Sequence, residues 1–393
     1  MAKLNEIFIK SFSGEWGAED LDGTGTPVLR TTNFTNHGVI NYTDVVTRNI
    51  KKKNISDKYL SKGDIIIEKS GGSDKQPVGR VVFFDGEEGK YLFNNFTGLL
   101  RVKNKDEWLP RYVFYALFAN YCVGGTRRYE NRTTGLHNLQ LDAYLYGTEI
   151  KKRNYEIQIE IVNNLDKVSE LIGRFKEQLQ DFDLLIKSRF MEMFGDRNFS
   201  EVKAADICDF ITKGTTPNAN DIYEDFSEGR IPYIKVYNLS NNGQMLFDER
   251  PQFIGTGVHE GLLKRSKVYP GDVLMNIVGP PLGKFAIVPK EYGEWNINQA
   301  IAIFRPKEKI RPIYLLYALM QPDILKPFLH RAVGIRQLNL SLEQCRELII
   351  KLPPIDLQNQ FADFVEQVNK SKFTHCYELL LLIIKKIWYN NYV

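Results

Sequence analysis

The chain has 393 residues, 43% of them hydrophobic and 25% charged, which excludes a disordered polymer and calls for a folded protein of two domains or a repeat. A formal charge of +4 permits nucleic-acid binding without demonstrating it. The 4 cysteines, Cys122, Cys208, Cys345 and Cys376, form no CxxC pair, so neither a zinc site nor a disulfide framework is indicated and a reducing cytoplasm fits.

In chain order, residues 1–10 lack the apolar core of an export signal. The longest apolar run, residues 379–384, falls far short of a membrane span of about 20 residues, so no membrane partner is expected. Basic clusters lie at Lys51-Lys52-Lys53, at Arg127-Arg128 with Arg132, at Lys151-Lys152-Arg153, and at Lys264-Arg265 with Lys267; taken singly each is an ordinary solvated surface. Residues 1–153 read as β-rich and then as a Tyr-rich amphipathic helix over 111–119, together one α+β domain.

Residues 154–197 are of another kind. Leu165, Val168, Ile172, Phe175, Leu179, Phe182 and Ile186 fall at alternating steps of three and four, the seam of a coiled coil, while charged residues fill most other positions. Such a helix predicts a partner helix rather than a place in a globular core. Some forty helical residues extend ~60 Å at a rise of 1.5 Å per residue.

From residue 198 the plan starts again. Gly63-Asp64 with Ile65-Ile66-Ile67 returns as Gly271-Asp272 with Val273-Leu274-Met275, and Val78-Gly79-Arg80 returns as Leu282-Gly283-Lys284. Tyr112-Val113-Phe114-Tyr115 returns as Tyr314-Leu315-Leu316-Tyr317, and Gly135-Leu136-His137-Asn138-Leu139 as Gly334-Ile335-Arg336-Gln337-Leu338. The offset stays at about 200 residues and the order never changes, so the chain is a tandem duplication. Strand-like runs over 231–239 and 272–278 and a helix over 312–320 make residues 198–352 a second α+β domain.

Residues 353–393 open as the first long helix does, with Gln360, Phe361, Phe364, Val365 and Val368 matching Gln158, Ile159, Val162 and the start of the seam; Phe361, Phe364 and Val368 supply its seam. Antiparallel pairing of the two helices gives the monomer an approximate twofold axis. After Asn369 the match weakens, since 369–375 is polar and 379–384 apolar on all faces. The fold class expected is α+β: two tandem-duplicated domains separated by two long helices forming an antiparallel coiled coil.

The passage Leu352-Pro353-Pro354-Ile355-Asp356-Leu357-Gln358-Asn359-Gln360, preceded by Gly334-Ile335-Arg336-Gln337-Leu338-Asn339-Leu340, resembles the junction between a target-recognition domain and a conserved helix in type I restriction-modification specificity subunits. The first copy repeats the plan with Ile157-Gln158, but has Lys151-Lys152-Arg153-Asn154 in place of the paired prolines. The resemblance implies that each domain reads one half of a split site in double-stranded DNA and that the helices form the spacer between the half-sites. It also implies two modification subunits docked on the helices, and restriction subunits that translocate and cut. S-adenosylmethionine, ATP and Mg then belong to those partners, and this chain has no cofactor of its own.

The residues offer little for the alternative of a single-chain modification or restriction enzyme. A glycine-rich cofactor loop and an Asn/Asp-Pro-Pro-aromatic turn are missing, since Gly279-Pro280-Pro281 and Leu352-Pro353-Pro354 lack the acidic or amide residue and the aromatic. Gly279 to Lys284 imitates a phosphate loop with one residue too few between its glycines. Asp64 with Glu68-Lys69 approaches a nuclease pattern, but Asn276 and Ile277 replace the latter pair in the second copy. The histidines, His37, His137, His259, His330 and His375, lack metal or triad spacing and read as surface or DNA-facing. A coiled-coil scaffold that binds only protein is the other alternative.

Direct readout prefers Arg or Lys with guanine and Asn or Gln with adenine. The candidate DNA-binding residues are therefore Arg30 and Asn33 with Lys235 and Asn238, Arg80 with Lys284, and Arg132, His137 and Asn138 with Arg331, Arg336 and Gln337. The same positions serve equally well as turn residues shared by both copies.

Overall fold

The computed structural model describes residues 1–9, 11–52, 54–74, 76–133, 136–279, 282–329 and 338–390. The chain divides into two units, Met1–Lys176 with Tyr377–Val393, and Glu177–Cys376. Among the described residues no helix is long and apolar enough to cross a membrane.

In the first unit an antiparallel sheet has the order Phe12–Ser13, Thr97–Leu100, Ile65–Glu68, Val81–Phe83. A second sheet has the order Ala18–Glu19, Val46–Asn49, Thr26–Leu29, Leu92–Phe93, its last pair parallel. The second unit repeats both. Its first sheet runs Cys208–Lys213, Ile301–Pro306, Val273–Asn276, Phe285–Ile287. Its second runs Ile222–Tyr223, Phe253–Gly255, Arg230–Ile234, Trp295–Ile297, Lys267–Val268, with the corresponding pair again parallel.

The apolar triplets after each Gly-Asp make sense once both sheet faces are covered. Side chains alternate along a strand; Ile65 and Ile67 enter one core cluster and Ile66 another, just as Val273 and Met275 part from Leu274. A strand buried on both faces reads as a continuous apolar run rather than an alternating one. The run expected over 231–239 stops at Ile234 and turns into a single 3-10 turn, Val236–Asn238, because Asn238 folds back onto the Lys235 N–H. The run over 272–278 likewise breaks into Val273–Asn276 and Val278–Gly279.

The Tyr-rich helices are Pro110–Cys122 and Pro312–Leu319, each with proline in its first turn, where a missing N–H costs nothing. Buried Tyr112 donates its hydroxyl to the Lys151 carbonyl at 2.8 Å, and Tyr314 donates to Lys351 at 2.7 Å, tying each helix to the segment that leads into the long helix.

The long helices run over Tyr155–Phe194 and Ile355–Asn390. Each is fastened to its domain by a fully buried glutamine. Gln158 accepts the Leu109 N–H at 2.8 Å and donates to the carbonyls of Glu107 and Arg153, both at 2.9 Å. Gln358 accepts the Arg311 N–H at 2.8 Å and donates to Lys309 at 3.2 Å and Pro353 at 2.8 Å. These bonds correct the helix alignment: Gln358, not Gln360, is the equivalent of Gln158.

The seam divides between two kinds of packing. In the first unit Leu165, together with Val162, enters the domain core beside Tyr112 and Tyr115, and Asp166 accepts both Arg111 (2.9 Å) and the Tyr115 hydroxyl. The helix start is thus docked on its own domain, contrary to the expectation of a helix partner along its whole length. In the second unit the expected antiparallel pairing is present. Phe190 lies 5.3 Å from Phe361 and Phe182 lies 5.2 Å from His375, and the Lys372 ammonium meets the Asp183 carboxylate, so positions rise on one helix as they fall on the other. Val168, Ile186 and Val368 are buried, and Ile172, Phe175, Leu179, Phe182 and Phe364 half-buried.

Replacing Gln358 with Leu strips the partners from one amide and two carbonyls, at a cost of ~3 kcal/mol. Urea unfolding of the second unit, followed through buried Trp295, reads this as a lowered midpoint. A midpoint within error of the parent would show that the glutamine does not fasten the helix.

Candidate nucleic-acid interface

In each unit the loops that leave the sheets are set by buried polar anchors. Asp64 grips Arg101 through both oxygens, at 2.8 and 2.6 Å, and accepts the Ser61 N–H at 2.7 Å. Asp272 repeats this with Arg305, at 2.8 and 2.7 Å, and the Tyr269 N–H at 2.9 Å. Asp64 is therefore a brace at the turn, neutralised by arginine. Gly79 and Gly283 sit at φ of +102° and +82°, and a Cβ there would come within 2.7 Å of Thr126 or 2.8 Å of Leu325, which reserves both positions for glycine.

Asn33 and Asn238 are buried, and their amides are consumed within their own loops. Asn33 accepts the Arg30 N–H at 2.8 Å and donates to the carbonyls of Asn41 and Asp44 at 3.1 and 2.9 Å. Asn238 accepts the Lys235 N–H at 2.9 Å and donates to Leu246 and Arg250, both at 3.3 Å. The structure places these two candidates as loop fasteners rather than exposed base readers.

Arg80 also faces inward. Its guanidinium donates to the carbonyls of Phe34 (2.9 Å) and Thr31 (3.0 Å), to the Asn36 amide oxygen (3.1 Å), and to Glu68 (3.4 Å). Burial pushes the Glu68 carboxyl above its usual range, against the opposing pull of Arg80. Thr31, Phe34, Glu68, Gly71 and Arg80 line part of a cavity of about 360 Å³ at this end of the unit. The hairpin of Glu130–Thr133 and Leu136–Leu139 joins the same end, since Leu139 N–H donates to the Lys69 carbonyl at 2.8 Å and Gly71 N–H to that of His137 at 3.1 Å. The loop carrying Arg30 and Asn33, the Arg80 clamp, and the strand of His137 and Asn138 are thereby brought together.

Arg30 itself pairs with Asp44 at 3.1 Å. His137 is buried, its Nδ1 3.0 Å from Glu130, and half-buried Asn138 forms a backbone bridge to Ser70. Arg132 pairs with His137 through its backbone, while its side chain and all of Arg331, Arg336 and Gln337 lie outside the described residues.

In the second unit Lys235 is half-buried near the Tyr233 ring, and the Arg250 guanidinium lies 4.8 Å over Tyr237. Partial burial, and then the charge of Arg250, lower the Lys235 ammonium below its ordinary range. Lys284 gives its main-chain N–H to the Asn276 carboxamide at 2.6 Å. Among the described residues no carboxylate pairs with Lys235, Arg250 or Lys284. Arg250 and Asp44 were not singled out from sequence; aligning the loops on Asn33 and Asn238 is the signal that finds them.

The histidine expectation also needs correction, because His259 is buried between Glu294, at 2.8 Å from its Nε2, and Asn296. His259, Glu260 and Glu294 could face a cation, but the Lys267 ammonium already lies 2.7 Å from Glu260 and 3.5 Å from Glu294. Burial pushes the Cys208 and Cys345 thiols up to about 12, which makes them inert packing groups.

The two units thus carry one α+β frame twice, with polar loops at its end, and among the described residues the loop cations Lys235 and Arg250 of the second unit meet no carboxylate. Residues 196–375 match the family model of the type I restriction modification DNA specificity domain. The whole chain has the fold of type I restriction-modification specificity subunits, as the junction sequence implied. It is similar to a solved chain of a type I R-M system studied for complex assembly and conformational transition, at 14% identity over 99% of this chain and 96% of that one, with a TM-score of 0.57. It is also similar to the type I S subunit from M. genitalium, at 15% identity over 99% and 94%, with a TM-score of 0.51. No curated protein matches the sequence.

Asn238→Ala deletes three hydrogen bonds and is expected to cost ~2 kcal/mol. Amide exchange across residues 235–250 should quicken with and without DNA. Unchanged exchange, with loss of DNA discrimination alone, would make Asn238 a base reader instead.

Proposed function

We propose that the chain is the non-catalytic DNA sequence-recognition subunit of a type I restriction-modification complex, each unit reading one half of a bipartite site in double-stranded DNA. The observation that carries this is one frame used twice under loops of different charge. The same buried anchors aim Arg30 and Asp44 in one unit but Lys235 and Arg250 in the other. Phosphate contacts position a protein on DNA and base contacts specify the sequence, so two different loop sets on equal frames read two different half-sites.

The helices act as the spacer between the half-sites and as the docking surface for two modification subunits. Leu184, Leu185 and Met191 stand 59%, 47% and 52% exposed on the central helix, which suits a protein partner. S-adenosylmethionine, ATP and Mg, with adenine methylation and DNA cleavage, are assigned to the modification and restriction subunits. The four cysteines are free thiols, which suits the cytoplasm.

Methylated-base mapping in a host carrying this chain and its partners tests the reading. Two short defined sequences separated by an unspecified gap are expected. A single uninterrupted target, or radiolabelled S-adenosylmethionine retained by the purified chain alone, would contradict it.

A further inference from the structure

The two units share a frame but not its charge, and their hydrogen bonds establish which positions correspond. Arg30 and Lys235 each give a main-chain N–H to the buried asparagine, and Asp44 and Arg250 each give it a carbonyl. Glu68 and Asn276 each donate a main-chain N–H to the partner-strand carbonyl, of Arg80 at 2.8 Å and of Lys284 at 2.9 Å. In the first unit each cation meets its own acid, Arg30 with Asp44 at 3.1 Å and Arg80 with Glu68 at 3.4 Å.

In the second unit both acids are gone. Arg250 stands where Asp44 stands and Asn276 where Glu68 stands, so the same four positions carry three positive charges and no negative one. The three cations belong to one edge. Lys235 opens the loop that ends at Ser240, and the Ser240 backbone pairs with Phe285, next to Lys284, through bonds of 3.1 and 2.8 Å. Lys235 and Lys284 are half-buried and Arg250 is exposed, so all three present charge to a bound polyanion.

We propose that the second unit is the anchoring half of the protein: Lys235, Arg250 and Lys284 hold DNA phosphates whatever the sequence, while the first unit, its cations at the corresponding positions cancelled, adds less to that grip. The proposal rests on the DNA-recognition reading above. It gives the two half-sites different energetic roles. The second supplies salt-sensitive affinity, and the first contributes through fit to its bases.

The test is the salt dependence of binding of the full chain to a labelled duplex of random sequence. Each phosphate contact adds about −0.9 to the slope of log K against log salt. The triple variant K235Q/R250Q/K284Q should flatten the slope by about 2.7, and R250Q alone, at an exposed position that a fold tolerates, by about 0.9. D44R, which puts a cation where the second unit has Arg250 and leaves Arg30 without its acid, should steepen it by about 0.9 or more. A parent chain that binds with a steep slope left unchanged by both the triple variant and R250Q overturns this inference and leaves the DNA reading intact. A parent chain without salt-dependent binding sinks both.

Discussion

Each half of the protein depends on one buried amide. Gln158 and Gln358 lie in the first turns of the long helices, fully enclosed, with the amide oxygen and the amide nitrogen both engaged by main-chain groups of the domain or of the helix lead-in. A buried amide left unmatched costs ~1–3 kcal/mol, so only one placement of helix on domain satisfies it. The tyrosine that ties the Tyr-rich helix to the residue-151 or residue-351 carbonyl closes the same junction from the other side. The helix therefore leaves its domain in a defined direction, which the proposed reading of DNA needs more than it needs extra stability.

A second constraint separates frame from reader. The Asp64–Arg101 and Asp272–Arg305 braces and the asparagine fasteners lie beneath the loops, are nearly identical in the two units, and leave the loop surface free to differ. Because the anchors bond mainly to main chain, side chains between them can change sign without disturbing the backbone, as the Asp44 and Arg250 positions show.

The duplication was legible in the sequence because it is carried by residues with strict local demands: the Gly-Asp turns, the left-handed glycines at 79 and 283, and the apolar triplets of doubly covered strands. The heptad seam was legible too, but its period cannot say what covers it. Leu165 is covered by its own domain, whereas Phe190 and Phe361 meet across two helices. Polar candidates were harder to read. Asn33, Asn238 and Arg80 have the side chains of base readers, and only their bonds to carbonyls eleven or more residues away reveal that they are turned inward. His259 was read as surface for the same reason, since nothing local signals its burial beside Glu294.

The central claim, that each domain carries its own half of the specificity on an interchangeable frame, is tested most directly by a chimaera. Residues 198–352 would be replaced by a second copy of residues 1–153, and bases methylated by the assembled complex would be mapped. The account predicts a target whose two halves are both the element formerly read by the first domain. A map in which the element belonging to the second domain persists would contradict it.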